Sequence, residues 1–213
     1  MKLQVADLNS FYGPAHILFD IALEVGEGEV VALLGRNGAG KSTTFRSIVG
    51  LVENRSGKIV FEGKDVSREP THAIVRGGLG YVPEERRIFT DLTVAENLEV
   101  GRQPPRPGAT SWSDAALFAL FPALGAMRAR RGDRMSGGEQ QMLAIARTLA
   151  GNPRAILLDE PSEGLAPIVV NAVVKAIEEL KRTGMTIVLA EQSQRFAERV
   201  ADRVYRVEKG RLA

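Results

Sequence analysis

The chain contains no cysteine among its 213 residues, which excludes disulfides, thiol catalysis and thiolate metal sites. Histidine is nearly as scarce: His16 and His72 lie too far apart in sequence to suggest a ligand pair, and both read as ordinary surface or core residues. Long apolar runs are also missing. The longest, such as Val30–Leu34 and Ala155–Leu158, are strand-sized, whereas a membrane-spanning helix needs roughly 20 consecutive apolar residues. The N-terminal stretch Met1–Asp7 lacks the apolar centre and small-residue cleavage site of a signal peptide, so the chain is expected to stay in the cytoplasm. An excess of one charge is absent as well. The pI is near 9.0, yet the formal net charge is only +2 and most basic residues alternate with acidic ones, so no nucleic-acid partner is expected. The one basic cluster, Arg128, Arg130, Arg131 and Arg134, reads as a solvated helix face. There is no internal repeat, no low-complexity segment and no sustained heptad pattern.

What is present is the composition of an ordinary globular domain, 44% hydrophobic and 25% charged, which predicts a single domain over residues 1–213. Short β-branched or leucine-rich runs alternate with helical patterns: Val30–Leu34 then a helix from Lys41, Ala155–Leu158 then a helix over Ile168–Lys181, Thr186–Ala190 then a helix from Gln194. That order predicts an α/β fold with a mostly parallel sheet. Leu3–Leu8, Asp20–Val25 and Lys58–Phe61, separated by polar turns, predict a small antiparallel β layer beside it. Residues 87–150 read as an inserted helical subdomain, interrupted by a proline-rich exposed loop over Gln103–Gly108.

Val30–Leu34 runs into Gly35-Arg36-Asn37-Gly38-Ala39-Gly40-Lys41-Ser42, a full G-x-x-x-x-G-K-[ST] placed between a strand and a helix. Glycines let the backbone curl so that successive N–H groups face phosphates, and the helix opening at Lys41 adds the positive end of its dipole. Gly35, Asn37, Gly38, Ala39, Gly40, Lys41, Ser42 and Thr43 are therefore the expected ATP cradle. Lys41 would neutralise the β- and γ-phosphates, and Ser42 Oγ would bind Mg²⁺. A glycine-rich turn matching by chance is the competing reading, and the strand before and helix after disfavour it. Further on, the strand Ala155–Leu158 ends in Asp159-Glu160, and carboxylates at a buried strand end call for a cation or a metal. Asp159 suits Mg²⁺; Glu160 points elsewhere and suits polarising the attacking water. An acidic pair decorating a helix N-terminus is the bland alternative, weakened by the phosphate loop upstream.

Many nucleotide enzymes share those two elements, and the segment that decides among them is Met135-Ser136-Gly137-Gly138-Glu139-Gln140-Gln141. With it the chain resembles the ATP-binding cassette (ABC) ATPases over nearly its whole length, in the family's order. The resemblance implies that Ser136, Gly137 and Gly138 clamp the γ-phosphate held by a partner's phosphate loop. It implies that Tyr12 stacks on adenine, although taken alone Tyr12 reads equally as a core residue. Pro161–Leu165 takes the place of the family's dimer-contact loop. Two positions depart from the family: Glu84 stands where glutamine senses Mg²⁺ and water, and Gln192 stands where histidine contacts the γ-phosphate. An amide can donate the same hydrogen bond but cannot become a cation, which weakens stabilisation of transition-state charge. Together with Val82-Pro83-Glu84 near Arg86 and Arg87, these departures resemble an ATPase subunit of bacterial branched-chain (hydrophobic) amino acid importers.

That resemblance implies a Mg²⁺-dependent ATPase on the cytoplasmic face of the inner membrane, catalysing with Lys41, Glu160 and Gln192 and binding metal through Ser42, Glu84 and Asp159. Its implied partners are a second ABC ATPase subunit, as heterodimer or homodimer, transmembrane permease subunits and, indirectly, a periplasmic binding protein. Relatives usually continue past Ala213 into another strand and short helix. Importers of urea or short amides have similar ATPases, and a soluble ABC ATPase acting on nucleic acid or ribosomes is the rival from another class. The latter needs a coiled coil, a tandem cassette or a basic surface. The Met135–Gln141 segment disfavours a small-molecule kinase, and Gln192 leaves room for a purely regulatory nucleotide binder.

Overall fold

A computed structural model describes residues 1–213. The strands β1 (Leu3–Tyr12) and β2 (Ala15–Val25) form an antiparallel pair and lead into β3 (Val30–Leu34) and α1 (Lys41–Ile48). Next come β4 (Arg55–Phe61), β5 (Lys64–Asp65), α2 (Thr71–Arg76) and β6 (Leu79–Val82). The segment between β6 and the next strand holds only helices, joined by loops: α3 (Val94–Gly101), α4 (Asp114–Leu120), α5 (Pro122–Gly125), a 3-10 turn at Gly132–Arg134, and α6 (Gly137–Ala150). The chain closes with β7 (Ala155–Asp159), α7 (Pro167–Arg182), β8 (Thr186–Glu191), α8 (Gln194–Val200), β9 (Arg203–Glu208) and β10 (Arg211–Leu212). No helix is long and apolar enough to cross a membrane.

The main sheet has the order β10-β9-β3-β8-β7-β6, parallel except for β10; the other sheet, β2-β1-β4-β5, is antiparallel. The central strands β3, β7 and β8 are apolar along their middles because both of their faces are covered. On β3, Val30, Ala32 and Leu34 face the helices α3 to α8, while Val31 and Leu33 face α1 and the antiparallel layer. The same alternation sends Ile156 and Leu158 one way and Ala155 and Leu157 the other. Asp159 continues the second series and so emerges on the side of α1, beside Ser42.

Helix ends follow from local sequence. Thr93 with Glu96, and Ser136 with Glu139, form reciprocal capping boxes that start α3 and α6. Pro167 opens α7, whose Val173, Val174, Ala176, Ile177 and Leu180 are buried; burying each of the larger side chains stabilises by about 1.5–3 kcal/mol.

Two details differ from the sequence reading and a third adds to it. β1 and β2 extend further than Leu8 and Asp20 suggest, because Asp7 and Asp20, both at positive φ, sit beside register shifts that break the period of two. The arginines at 128, 130, 131 and 134 do not share a helix face: Arg128 lies in a turn after α5, Arg131 is bridged to Thr93 and Arg134 ends the 3-10 turn. There Arg128 stacks on Phe118 at 4.3 Å, and Arg131 pairs with Asp91 and Asp133. The proline-rich loop is largely exposed but tethered, since Arg106 donates to the carbonyls of Gly151, Asn152 and Arg76.

Candidate functional site

The glycine loop wraps the end of β3, and its shape is imposed by close neighbours. A Cβ at Gly35 would stand 2.4 Å from the carbonyl oxygen of Val207 on β9. Gly40, the residue before α1, has φ +112°, and a Cβ there would lie 2.9 Å from Leu18. Ala39 is buried and uses its N–H on the Arg36 carbonyl, so Gly35 and Ala39 shape the loop, while Asn37, Gly38, Gly40, Lys41, Ser42 and Thr43 face the cavity. That cavity, of about 480 Å³, is completed by Tyr12, Ile17, Glu84 and Glu160. Tyr12 is 46% exposed at its rim, leaving a ring face free for stacking on a base.

Lys41 and Glu160 are paired at 2.8 Å, and both are almost wholly buried. Lys41 Nζ also donates to the carbonyls of Gly35 at 2.7 Å and Arg36 at 3.1 Å. Glu160 has φ +48°, a strained conformation for a residue other than glycine. That turn takes its side chain out of the strand's alternation, so that Oε1 meets Lys41 while Oε2 accepts the Gln192 N–H at 3.2 Å. The Gln192 side chain is exposed and borders a second cavity, of about 720 Å³, together with Glu160, Ser162 and Glu163.

Asp159 is fully buried, accepting from Ser42 Oγ at 2.9 Å and from the Tyr81 hydroxyl at 3.1 Å. Burial pushes its carboxyl up to about 6, against the lowering effect of these two hydrogen bonds and of Arg46. Tyr81 lies outside the residues that sequence reasoning singles out. Only the parallel pairing of β6 with β7, which sets Tyr81 beside Leu157, reveals it. The chain has no cluster of three His, Cys, Asp or Glu able to hold a metal by itself. The oxygen set of Ser42 and Asp159, with Glu84 at the cavity wall, fits instead a hard Mg²⁺ that completes its shell with phosphate and water.

Burial also pushes Glu191 up, to about 7. Between the ordinary carboxyl range and these raised values the folded chain binds protons that the unfolded chain has released, so both groups subtract stability as pH rises. Thermal melts of the nucleotide-free protein should show a wild-type loss, from about pH 5 to about pH 8, that is smaller in Asp159→Asn. Parallel curves for the two proteins would rule this out.

Ser136, Gly137 and Gly138 stand apart from the glycine-loop cavity, and none lines it. Ser136 is exposed; its Oγ accepts the Glu139 N–H at 3.3 Å and its own N–H is held by the Glu139 carboxylate. A Cβ at Gly138 would come within 2.7 Å of Val169 on α7, so this glycine also sets how closely α6 approaches α7. Gly138→Ala should lower stability by about 1–3 kcal/mol through overpacking, read from the denaturation midpoint; a Val169→Ala partner change should recover most of it.

The family model described as "ABC transporter" matches residues 18–163, which hold the phosphate loop, Ser136–Gly138 and the Asp159–Glu160 pair. The chain belongs to the ABC transporter family. It is 42% identical, over 96% of its length and 88% of the relative's, to the high-affinity branched-chain amino acid transport ATP-binding protein BraG of Pseudomonas aeruginosa. It is also 39% identical, over 99% of its length and 88% of the relative's, to the lipopolysaccharide export system ATP-binding protein LptB of Haemophilus influenzae. Among solved structures, an ATP-binding subunit of an ABC transporter superposes with a TM-score of 0.83 at 30% identity, covering 100% of this chain and 88% of that one. The α/β cassette expected from sequence is thus the fold found, and the protein is an ABC ATPase that binds and hydrolyses ATP. Such ATPases work as dimers with transmembrane components.

Proposed function

We propose that this ABC ATPase powers a bacterial importer of branched-chain or other hydrophobic amino acids, as one half of a head-to-tail ATPase dimer on the cytoplasmic face of the membrane. The observation that carries the dimer is the incompleteness of the site: the Ser136–Gly138 signature, with Ser136 exposed and both glycines half-buried, is capped and lies outside its own chain's nucleotide cavity. It serves the γ-phosphate held by a partner's Gly35–Ser42 loop, where small residues and the start of a 14-residue helix present free N–H groups.

Ser42 and Asp159, with Glu84 near them, would hold Mg²⁺, which would supply neutralisation of phosphate charge. Tyr12 takes the adenine, the loop N–H groups take the phosphates, and Lys41 leaves Glu160 to reach the β- and γ-phosphate oxygens. Glu160, released from Lys41 but still fixed through the Gln192 N–H, aligns the attacking water and accepts its proton. Gln192 donates to the γ-phosphate from the opposite side. Loss of that phosphate removes what the two subunits share, and the dimer reopens.

Permease subunits are assigned to a groove of about 390 Å³ that joins α2, β6, α3 and α6 and presents the exposed Val75 and Val100. Tyr81 forms part of its wall and precedes Glu84 by three residues, so movement in the groove reaches the metal site directly. The import reading rests on the similarity to BraG and on the Glu84 and Gln192 departures. The similarity to LptB supports a second reading, export of a lipopolysaccharide-type glycolipid.

Mg²⁺-ATP hydrolysis by the purified chain, alone and reconstituted with its ATPase and permease partners, tests both. Turnover raised by a binding protein loaded with a branched-chain amino acid, and abolished by Lys41→Ala, is expected. Stimulation by a loaded urea- or amide-binding protein reassigns the cargo, and stimulation by glycolipid substitutes the export reading. Activity driven by DNA or ribosomes, or ATP binding without turnover in every combination, overturns transport altogether.

A further inference from the structure

Glu191, the last residue of β8, is 1% exposed, and the mechanism above gives it no part. Its bonds connect three separate segments of the site. Oε1 accepts the N–H of Ser162, in the turn that follows Glu160, at 3.1 Å. Oε2 accepts the N–H of Ser193, immediately after Gln192, at 3.3 Å. Its main-chain carbonyl accepts the N–H of Gly35, the first residue of the phosphate loop, at 3.1 Å. Burial opposes its ionisation, and the lone pairs of both oxygens are spent on backbone N–H groups of loops rather than on a cation. It also lies beside the buried Glu160 carboxylate, an arrangement tolerated because Lys41 offsets the charge on Glu160.

We propose that Glu191 is a positioning residue that fastens the loop after Glu160 to the Gln192 segment, so that the water-aligning carboxylate and the γ-phosphate donor keep one spacing while Lys41 moves. The inference rests on the roles given above to Glu160 and Gln192. When Lys41 turns to the phosphates, Glu160 loses its ion pair and keeps only the Gln192 N–H; the bridge through Glu191 is then what holds that N–H in place.

Glu191→Gln keeps the shape and one acceptor but sets an NH₂ group against one of the two N–H donors, opening one end of the bridge. Hydrogen exchange on the nucleotide-free full chain should show Pro161–Leu165 and Gln192–Gln194 exchanging faster together, with β3 and α1 unchanged. In the assembled transporter kcat should fall about tenfold or more, as for loss of a hydrogen bond to a charged group, with KM for ATP within about twofold, since Tyr12 and the phosphate loop are untouched. Glu191→Asp, which keeps the charge but withdraws the oxygens by one methylene, reads the same two segments if the glutamine variant fails to fold. Exchange unchanged in both segments, or faster in one alone with kcat intact, overturns the proposal, as does a parallel rise in KM with no fall in kcat. Wild-type turnover that survives Glu160→Gln would sink instead the reading on which it rests.

Discussion

Glu160→Gln should lower steady-state ATP hydrolysis by about 10²–10⁴-fold while leaving ATP bound and the dimer closed. The side chain keeps its size and can still accept the Gln192 N–H, so the loop geometry survives. What disappears is the carboxylate that takes a proton from water, and with it the step that releases the shared γ-phosphate. Lys41 is not stranded, because the carbonyls of Gly35 and Arg36 still accept from it. Light scattering after gel filtration with Mg²⁺-ATP should find a stable dimer for this variant and a transient one for the wild type. Turnover at the wild-type rate in a complex whose other site is inactivated would remove Glu160 from the reaction.

Lys41→Ala is expected to weaken ATP binding about 100-fold or more, since several charge-assisted hydrogen bonds to phosphate oxygens are lost, each contributing about 1.5–3 kcal/mol. It should also destabilise the nucleotide-free protein. Lys41 and Glu160 form a buried pair, and removing one partner leaves an uncompensated buried charge that costs about 3–5 kcal/mol. The two effects separate in a double substitution: Lys41→Ala with Glu160→Gln should recover most of the stability and none of the binding. Titration calorimetry and thermal melts measure the two quantities, and binding restored in the double variant would show that Lys41 acts only through the fold.

The phosphate loop was legible because its requirements are local. A strand, a run of glycines, Lys41 and Ser42 follow one another in the chain, and the structure adds only the reason for Gly35, the carbonyl of Val207, 172 residues downstream. The α/β order was equally readable, since β3, β7 and β8 are covered on both faces and are apolar except at their ends, at Asp159, Thr186 and Glu191. The Tyr81–Asp159 bond and the bridge from Ser162 through Glu191 to Ser193 were not, because each depends on which parallel strands become neighbours, and periodicity carries no strand order. The strand ends at Tyr12 and Ala15 were blurred by positive-φ residues at Asp7 and Asp20, which interrupt the alternation on which strand prediction relies. The arginines between α5 and α6 show the converse error: spacing alone suggested a helix face, and a turn after α5, the bridge of Arg131 to Thr93 and a 3-10 turn divide them.

A site completed by a second subunit makes a demand on Ser136 that a self-contained site does not. Ser136→Asp retains a residue that caps helices as well as serine does, so α6 should still form, but it places a negative charge against the partner's γ-phosphate. In the assembled transporter, binding of a fluorescent ATP analogue should stay within about twofold of wild type while hydrolysis falls about 100-fold or more, because the signature acts only on the closed dimer. Binding lost in step with hydrolysis, or hydrolysis that continues undiminished, would contradict a nucleotide site shared between two chains.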